Sequence, residues 1–218
     1  MPMPLLEEIV PLAPVNFFAF SMDIGYQKDK EGLSKKHQLP DLAAFHGKRS
    51  FATFFMGWSE KGLSIEVEVG HPFQGAYYPD MERGDCLELF IDTRDVKTSG
   101  YNTRFCHHFF FLPEKVLVED EEIQAGEITH FRGEERHELC DGKKLKAECR
   151  KEKKSYFLSL FIPAECLHGY EPSQFKKLGF TYRLSRGKEE PQLFSASAED
   201  FSIEEQPSLW ASLHMQKE

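Results

Sequence analysis

Between Gly84 and Pro113 the chain first alternates cleanly and then, past a polar loop, turns apolar on both faces, a pattern that predicts two long strands. In Gly-Asp-Cys-Leu-Glu-Leu-Phe-Ile-Asp, residues Leu87, Leu89 and Ile91 fall on one face of a strand and Glu88 and Asp92 on the other. Asp92-Thr93-Arg94-Asp95 and Ser99-Gly100-Tyr101-Asn102 supply turn chemistry. From Phe105 to Leu112 both faces are apolar, as in a central strand covered on each side. Pro113 cannot donate to a ladder and is expected to close that strand. The two strands predict the middle of an antiparallel sheet.

The remaining segments extend it. Phe51–Met56, closed by Gly57, turns through Ser59-Glu60-Lys61-Gly62 into Leu63–Val69, where every second residue is aliphatic. Leu145–Arg150 and Tyr156–Ile162 predict a second hairpin, and Phe17–Met22, Leu178–Leu184 and Leu209–Met215 single strands. Pro163 is suited to open a short helical turn reaching Leu167. Met1 to Pro14 reads as an extended arm, while Gly70–Arg83, the acidic Val116–Ile128 and Ser185–Pro207 read as long surface connections. With no repeat and no linker, residues 1–218 predict one domain: an all-β antiparallel sandwich of two packed sheets.

Charge narrows the partners. The formal net charge is -9 and no long Lys/Arg block occurs, which argues against nucleic acid and against an anionic membrane surface. No apolar run is long enough to span a bilayer, and Glu7 and Glu8 break the one candidate for the core of a signal peptide. Five cysteines, an odd number without close pairing, predict free thiols and a cytoplasmic location.

Gly84-Asp85-x-x-Glu88-x-Phe90-Ile91-Asp92 resembles the central signature of the carbohydrate-binding module family 9 (CBM9-like) domains, within the DOMON-like superfamily. The resemblance continues through Phe161-Ile162-Pro163-Ala164-Glu165-Cys166-Leu167, Leu178-Gly179-Phe180-Thr181-Tyr182-Arg183 and Pro207-Ser208-Leu209-Trp210-Ala211-Ser212-Leu213, from about Phe51 to the C-terminus. It implies a non-catalytic module that binds a saccharide and can hold structural calcium. Sugar binding needs an aromatic face for the C–H side of a pyranose and planar charged groups for its hydroxyls. Tyr101 and Trp210 are the candidate platforms, with Trp58, Tyr77 and Tyr78 behind them, and Glu88, Arg104 and His108 are the polar partners. Convergence of Arg104 with Glu88 beside a groove competes with a plain surface ion pair. Where sugar-binding members carry an aromatic before the signature Asp, this chain has Met81-Glu82-Arg83. Asp92 and Asp95 are the hard oxygen ligands for calcium, against the simpler reading of solvated acids.

His107-His108 point to opposite faces of a strand and so are poorly placed to share one ion. One is expected to be packed and the other at the surface or in a groove. Cys86, Cys106 and His107 could form a thiol–imidazole pair, but no orienting Asn or Asp stands nearby. Phosphate loops, nucleophile elbows and Cys-x-x-Cys pairs are missing. The sequence therefore favours a saccharide-binding module, then a cytosolic interaction or scaffold domain on the same fold, and last a hydrolase-type enzyme.

Overall fold

The structure is a computed structural model and describes residues 20–28, 32–42, 49–98, 100–194 and 202–217. The expected arm over Met1–Pro14 and the start of the expected first strand lie outside these residues. Among them are eleven strands: β1 (Ser21–Tyr26), β2 (Ala52–Ser59), β3 (Gly62–Val69), β4 (Asp85–Asp92), β5 (Cys106–Val118), β6 (Glu121–Glu127), β7 (Lys146–Lys151), β8 (Tyr156–Pro163), β9 (Lys177–Arg186), β10 (Gln192–Leu193) and β11 (Ala211–Gln216). The only helical pieces described are short 3₁₀ turns, one of them at Ala164–Cys166, just after Pro163 as expected.

The all-β class is right, but the division into two separate antiparallel sheets is not. One hydrogen-bonded path runs β6-β5-β4-β9-β11-β1-β2-β3-β8-β7, with β10 added to β9. Its ends, β6 and β7, curl back toward each other, so the sheet nearly closes. Strand β1 makes the continuity possible by lying parallel to both neighbours, β11 (Met22 opposite Leu213) and β2 (Gly25 opposite Gly57). Alternation within a segment cannot reveal these pairings, because they join strands that are separate in the chain.

The middle of the sheet follows the alternation. Leu87, Leu89, Ile91, Phe109 and Phe111 enter the main core with Phe54, Trp58, Ile65, Val67, Leu158, Phe180 and Tyr182. The opposite faces of β4 and β5 are covered too. Phe90 and Cys106 pack with Ile203, Leu209 and Trp210, and Cys86, Phe110 and Leu112 form a third cluster that Tyr78 and Ile123 border. Two expectations near Pro113 fail together. Strand β5 continues through Pro113 to Val118 across a register shift between Phe111 and Val116, and the acidic stretch folds back as β6. Proline is tolerated because it sits where the ladder to β6 is interrupted. The turn uses Glu119 and Asp120 at positive φ, between Val118 and Glu121, which pair.

The signature residues of β4 are structural. Gly84 lies against the Gly75 carbonyl and the Tyr77 ring, leaving no room for a Cβ, and Asp85 N–H donates to the Gly75 carbonyl at 2.7 Å. The Asp85 carboxylate is fully buried, accepts Gln74 N–H at 2.6 Å and pairs with buried Arg186, its register partner on β9.

The cysteines are not all free. Cys140 and Cys166 are joined in a disulfide, 26 residues apart in sequence with Cα atoms 5.1 Å apart, which removes the premise of the expected compartment. Sequence spacing cannot find this pair, because one cysteine lies in a loop and the other in the turn after β8. Cys86, Cys106 and Cys149 remain as thiols. Titration of denatured, unreduced protein should count three reactive sulfhydryls, and five would mean that the bridge does not form.

Candidate functional site

Strand β5 sends its two adjacent histidines through the sheet in opposite directions, and each meets a buried glutamate. Both rings are buried, His107 fully and His108 nearly so, where one packed and one surface or groove histidine was expected. On the outer face His108 Nε2 donates to Glu88 at 2.9 Å. Arg183, the register partner of Glu88 on β9, grips the same carboxylate with two N–H groups at 2.6 and 2.8 Å. Its third nitrogen reaches Glu204, whose backbone carbonyl accepts from Asn102 at 2.8 Å. Burial alone would raise the Glu88 carboxyl, but the His108 and Arg183 hydrogen bonds outweigh it and hold the pKa at about 2.

This geometry redistributes the candidate ligand residues. Glu88, His108 and Trp210 come together around Phe90, whose ring centroid lies 4.2 Å from that of His108 and 5.9 Å from that of Trp210. Trp210 is a core residue, only 2% exposed, with its indole N–H given to the Ile203 carbonyl. Arg104 does not reach Glu88. Glu88 stands opposite Phe110, six residues further along the chain than Arg104, whose guanidinium lies over Phe105. Tyr101 is 52% exposed on the loop before β5. Trp58 is buried, with its indole N–H on the Gln216 carbonyl, and Tyr78 stacks on Phe110. The residue that sequence reasoning missed is Arg183, although its place in an alternating strand marks it as a cation aimed at the β4 acids.

The two candidate calcium ligands are occupied by the protein itself. Asp92 accepts the backbone N–H groups of Arg94 and Val96 at 2.9 and 2.6 Å, bracing the turn that follows β4. Asp95 pairs with the Lys97 ammonium at 2.7 Å and accepts the Ser212 hydroxyl at 2.6 Å. A lysine thus stands where a cation would, and the donor set does not fit calcium without rearrangement. The thiol–imidazole pair also fails to form. Cys106 lies against Thr103, and burial above all pushes its thiol up to about 12, so it stays protonated at neutral pH.

On the inner face His107 Nδ1 and His137 Nε2 each approach Glu127 Oε1 at 2.8 Å. Thr129 donates to the same oxygen at 2.8 Å, and Cys140 N–H to Oε2 at 2.7 Å. Burial would raise the Glu127 carboxyl, but His107 and His137 outweigh it and its pKa falls to about 2.

A different surface offers an open cleft. It holds about 570 Å³ at the strand ends where β2 and β8 begin and β3 finishes. The register aligns Thr53, Glu68, Phe157 and Arg150 in one row across β2, β3, β8 and β7, on the face away from the core. Phe157 is half-buried, and the Arg150 guanidinium lies 5.5 Å from its ring centroid. Behind the row Phe54 stacks on Tyr182 at 3.6 Å, and Gln192 ties the start of β2 down through Phe51 and Ala52 N–H.

A carboxylate whose pKa is lower in the folded than in the unfolded chain stabilises above its unfolded value and loses that contribution as pH falls through its folded value. Glu88 and Glu127 both drop from 4.5 to about 2. Acid unfolding should therefore steepen between pH 4.5 and about 2. Glu88→Gln leaves Arg183 short of its partner and should cost about 3–5 kcal/mol at neutral pH in urea unfolding, a deficit that shrinks toward pH 2.

No protein-family model matches the chain, and no curated protein matches it by sequence. Solved structures do match in shape. A family 9 carbohydrate-binding module from Caldicellulosiruptor kristjanssonii in complex with cellotriose aligns with a TM-score of 0.57 and 11% identity, over 91% of this chain and 94% of that one. The module from that organism in complex with glucose gives 0.58 and 11% identity, over 91% and 96%. A chain from Bacteroides uniformis gives 0.53 and 10% identity, over 90% and 99%. The fold of this chain is that of a CBM9-like domain.

Proposed function

We propose that the protein is a non-catalytic module that binds a saccharide in the cleft at the strand ends, on the row Thr53, Glu68, Phe157 and Arg150. The carrying observation is the alignment of an aromatic ring, a guanidinium, a carboxylate and a hydroxyl at adjacent register positions beside a 570 Å³ opening. A pyranose presents a C–H face that an aromatic ring covers and hydroxyls that a planar guanidinium and a carboxylate hold by paired hydrogen bonds. Clefts at the mouths of closed or nearly closed sheets are common ligand sites, and 570 Å³ suits one or two sugar rings. The likeness in fold to modules holding glucose and cellotriose supports testing glucose and cello-oligosaccharides first.

The cluster expected from sequence competes less well. Both Glu88 oxygens and the Arg183 guanidinium are spent on each other, on His108 and on Glu204, so a hydroxyl would have to break a buried ion pair to bind. In the cleft, Glu68 is exposed, and Arg150 is held only by an exposed ion pair with Glu152 at 3.7 Å and by its contact with the Phe157 ring, so a ligand displaces water and one solvated pair of little worth.

Titration of wild-type protein with glucose and cellotriose, followed by NMR shifts or calorimetry, should give saturable binding. Phe157→Ala and Arg150→Ala should each weaken it at least about tenfold, some 1.4 kcal/mol, while the melting temperature moves little. Binding lost in Glu88→Gln but intact in Phe157→Ala would move the site to the buried cluster. No binding at millimolar sugar would leave the scaffold reading.

A further inference from the structure

We propose that His107, Glu127 and His137 form a binding site for a divalent first-row transition metal ion of the Zn²⁺ class, at the rim of the inner face. The three donor atoms, one from each side chain, lie within 4.8 Å of one another. The set is two imidazoles and one carboxylate, which suits Zn²⁺ far better than Ca²⁺ or Mg²⁺.

The hydrogen-bond pattern is what asks for a cation. His137 Nδ1 lies 2.7 Å from the Arg104 carbonyl, which can only accept, so Nδ1 carries a hydrogen. That leaves Nε2 as the ring's lone-pair nitrogen in the neutral form, and it faces Glu127 Oε1 at 2.8 Å. Two lone-pair atoms do not hold that distance unless a proton or a metal ion lies between them. The same oxygen also meets His107 Nδ1 and the Thr129 hydroxyl, so three polar groups crowd one carboxylate oxygen, while Oε2 takes the Cys140 N–H. A metal ion with bonds of about 2.0–2.2 Å would replace the hydrogens on the two imidazole contacts, with shifts of roughly half an ångström.

The surroundings are those of a supported site. The Arg104 carbonyl orients His137, and Thr129 and Cys140 N–H orient Glu127, the outer contacts that metal-binding imidazoles and carboxylates commonly have. The Cys140–Cys166 disulfide ties the segment carrying His137 to the turn that precedes His168. His168 is exposed, and its ring lies 5.5 Å from His137 in a parallel stack. An opening of about 420 Å³ lined by His137, Asp141, Glu165 and His168 gives an entry path and room for a fourth ligand.

The test uses untagged full-length protein, stripped with chelator and kept free of reductant so that the disulfide stays closed. Titration with Zn²⁺ should show one equivalent bound and a raised melting temperature, with calcium and magnesium unable to compete. Co²⁺ in its place should give the visible absorption of a four- or five-coordinate nitrogen–oxygen site. His137→Ala leaves the β5–β6 hairpin intact and should weaken Zn²⁺ by more than about 100-fold, beyond the loss of an outer contact. Glu127→Gln threatens the fold, so the Co²⁺ spectrum of the wild type is the second readout. Absence of stoichiometric binding overturns the proposal. So does binding that persists in His137→Ala, which would place the ion on exposed histidines.

Discussion

Asp85 and Glu88 are acids in the middle of a sheet strand that is buried from end to end, and the rest of the architecture accommodates them. Each faces an arginine at its own register position on β9, Asp85 with Arg186 and Glu88 with Arg183. The two pairs lie on opposite faces of the sheet, so a one-residue slip of β4 against β9 would bury four uncompensated charges. Register is thus fixed by charge as well as by the apolar pattern. The loop before β4 is held to Asp85 through Gln74, and the segment that covers the outer face is held to Arg183 through Glu204.

That arrangement explains why the β4 signature speaks of fold and little of ligand. Gly84 permits a close backbone approach, Asp85 and Glu88 hold arginines, Phe90 packs with Trp210, and Asp92 braces the following turn. Every one of these roles is internal. A chain can keep them all while its surface changes freely, which fits 10–11% identity across nearly the whole length of the matching modules.

The paired histidines show how burial on both faces multiplies sites. Because β5 is covered on each side, His107 and His108 both need buried partners, and each finds a glutamate. The outer pair is closed by an arginine, which makes it an ion-pair network. The inner pair is joined instead by a second histidine, which gives the set of two imidazoles and one carboxylate on which the metal proposal rests. The backbone N–H of His108 donates to Thr129, itself bound to Glu127, so the two networks meet through one residue.

The sequence by itself determined the strands and their faces: the β2–β3 hairpin, the core side of β4, the two-sided burial of β5 and the turn after Pro163 all follow from period-two alternation and proline geometry. It also placed Glu88 and His108 on one face, where they meet at 2.9 Å. Tertiary structure decided what depends on pairing between distant segments. The parallel placement of β1 turned two expected sheets into one, and the loop and turn brought Cys140 to Cys166. Arg183 took the place expected of Arg104, because strand register set six residues between Arg104 and the partner of Glu88. His137 and Glu127 carry no spacing signal, since their meeting depends on where a loop returns to the end of a strand. Alternation fixes which face a side chain takes, and only closure of the sheet fixes which other side chains share it.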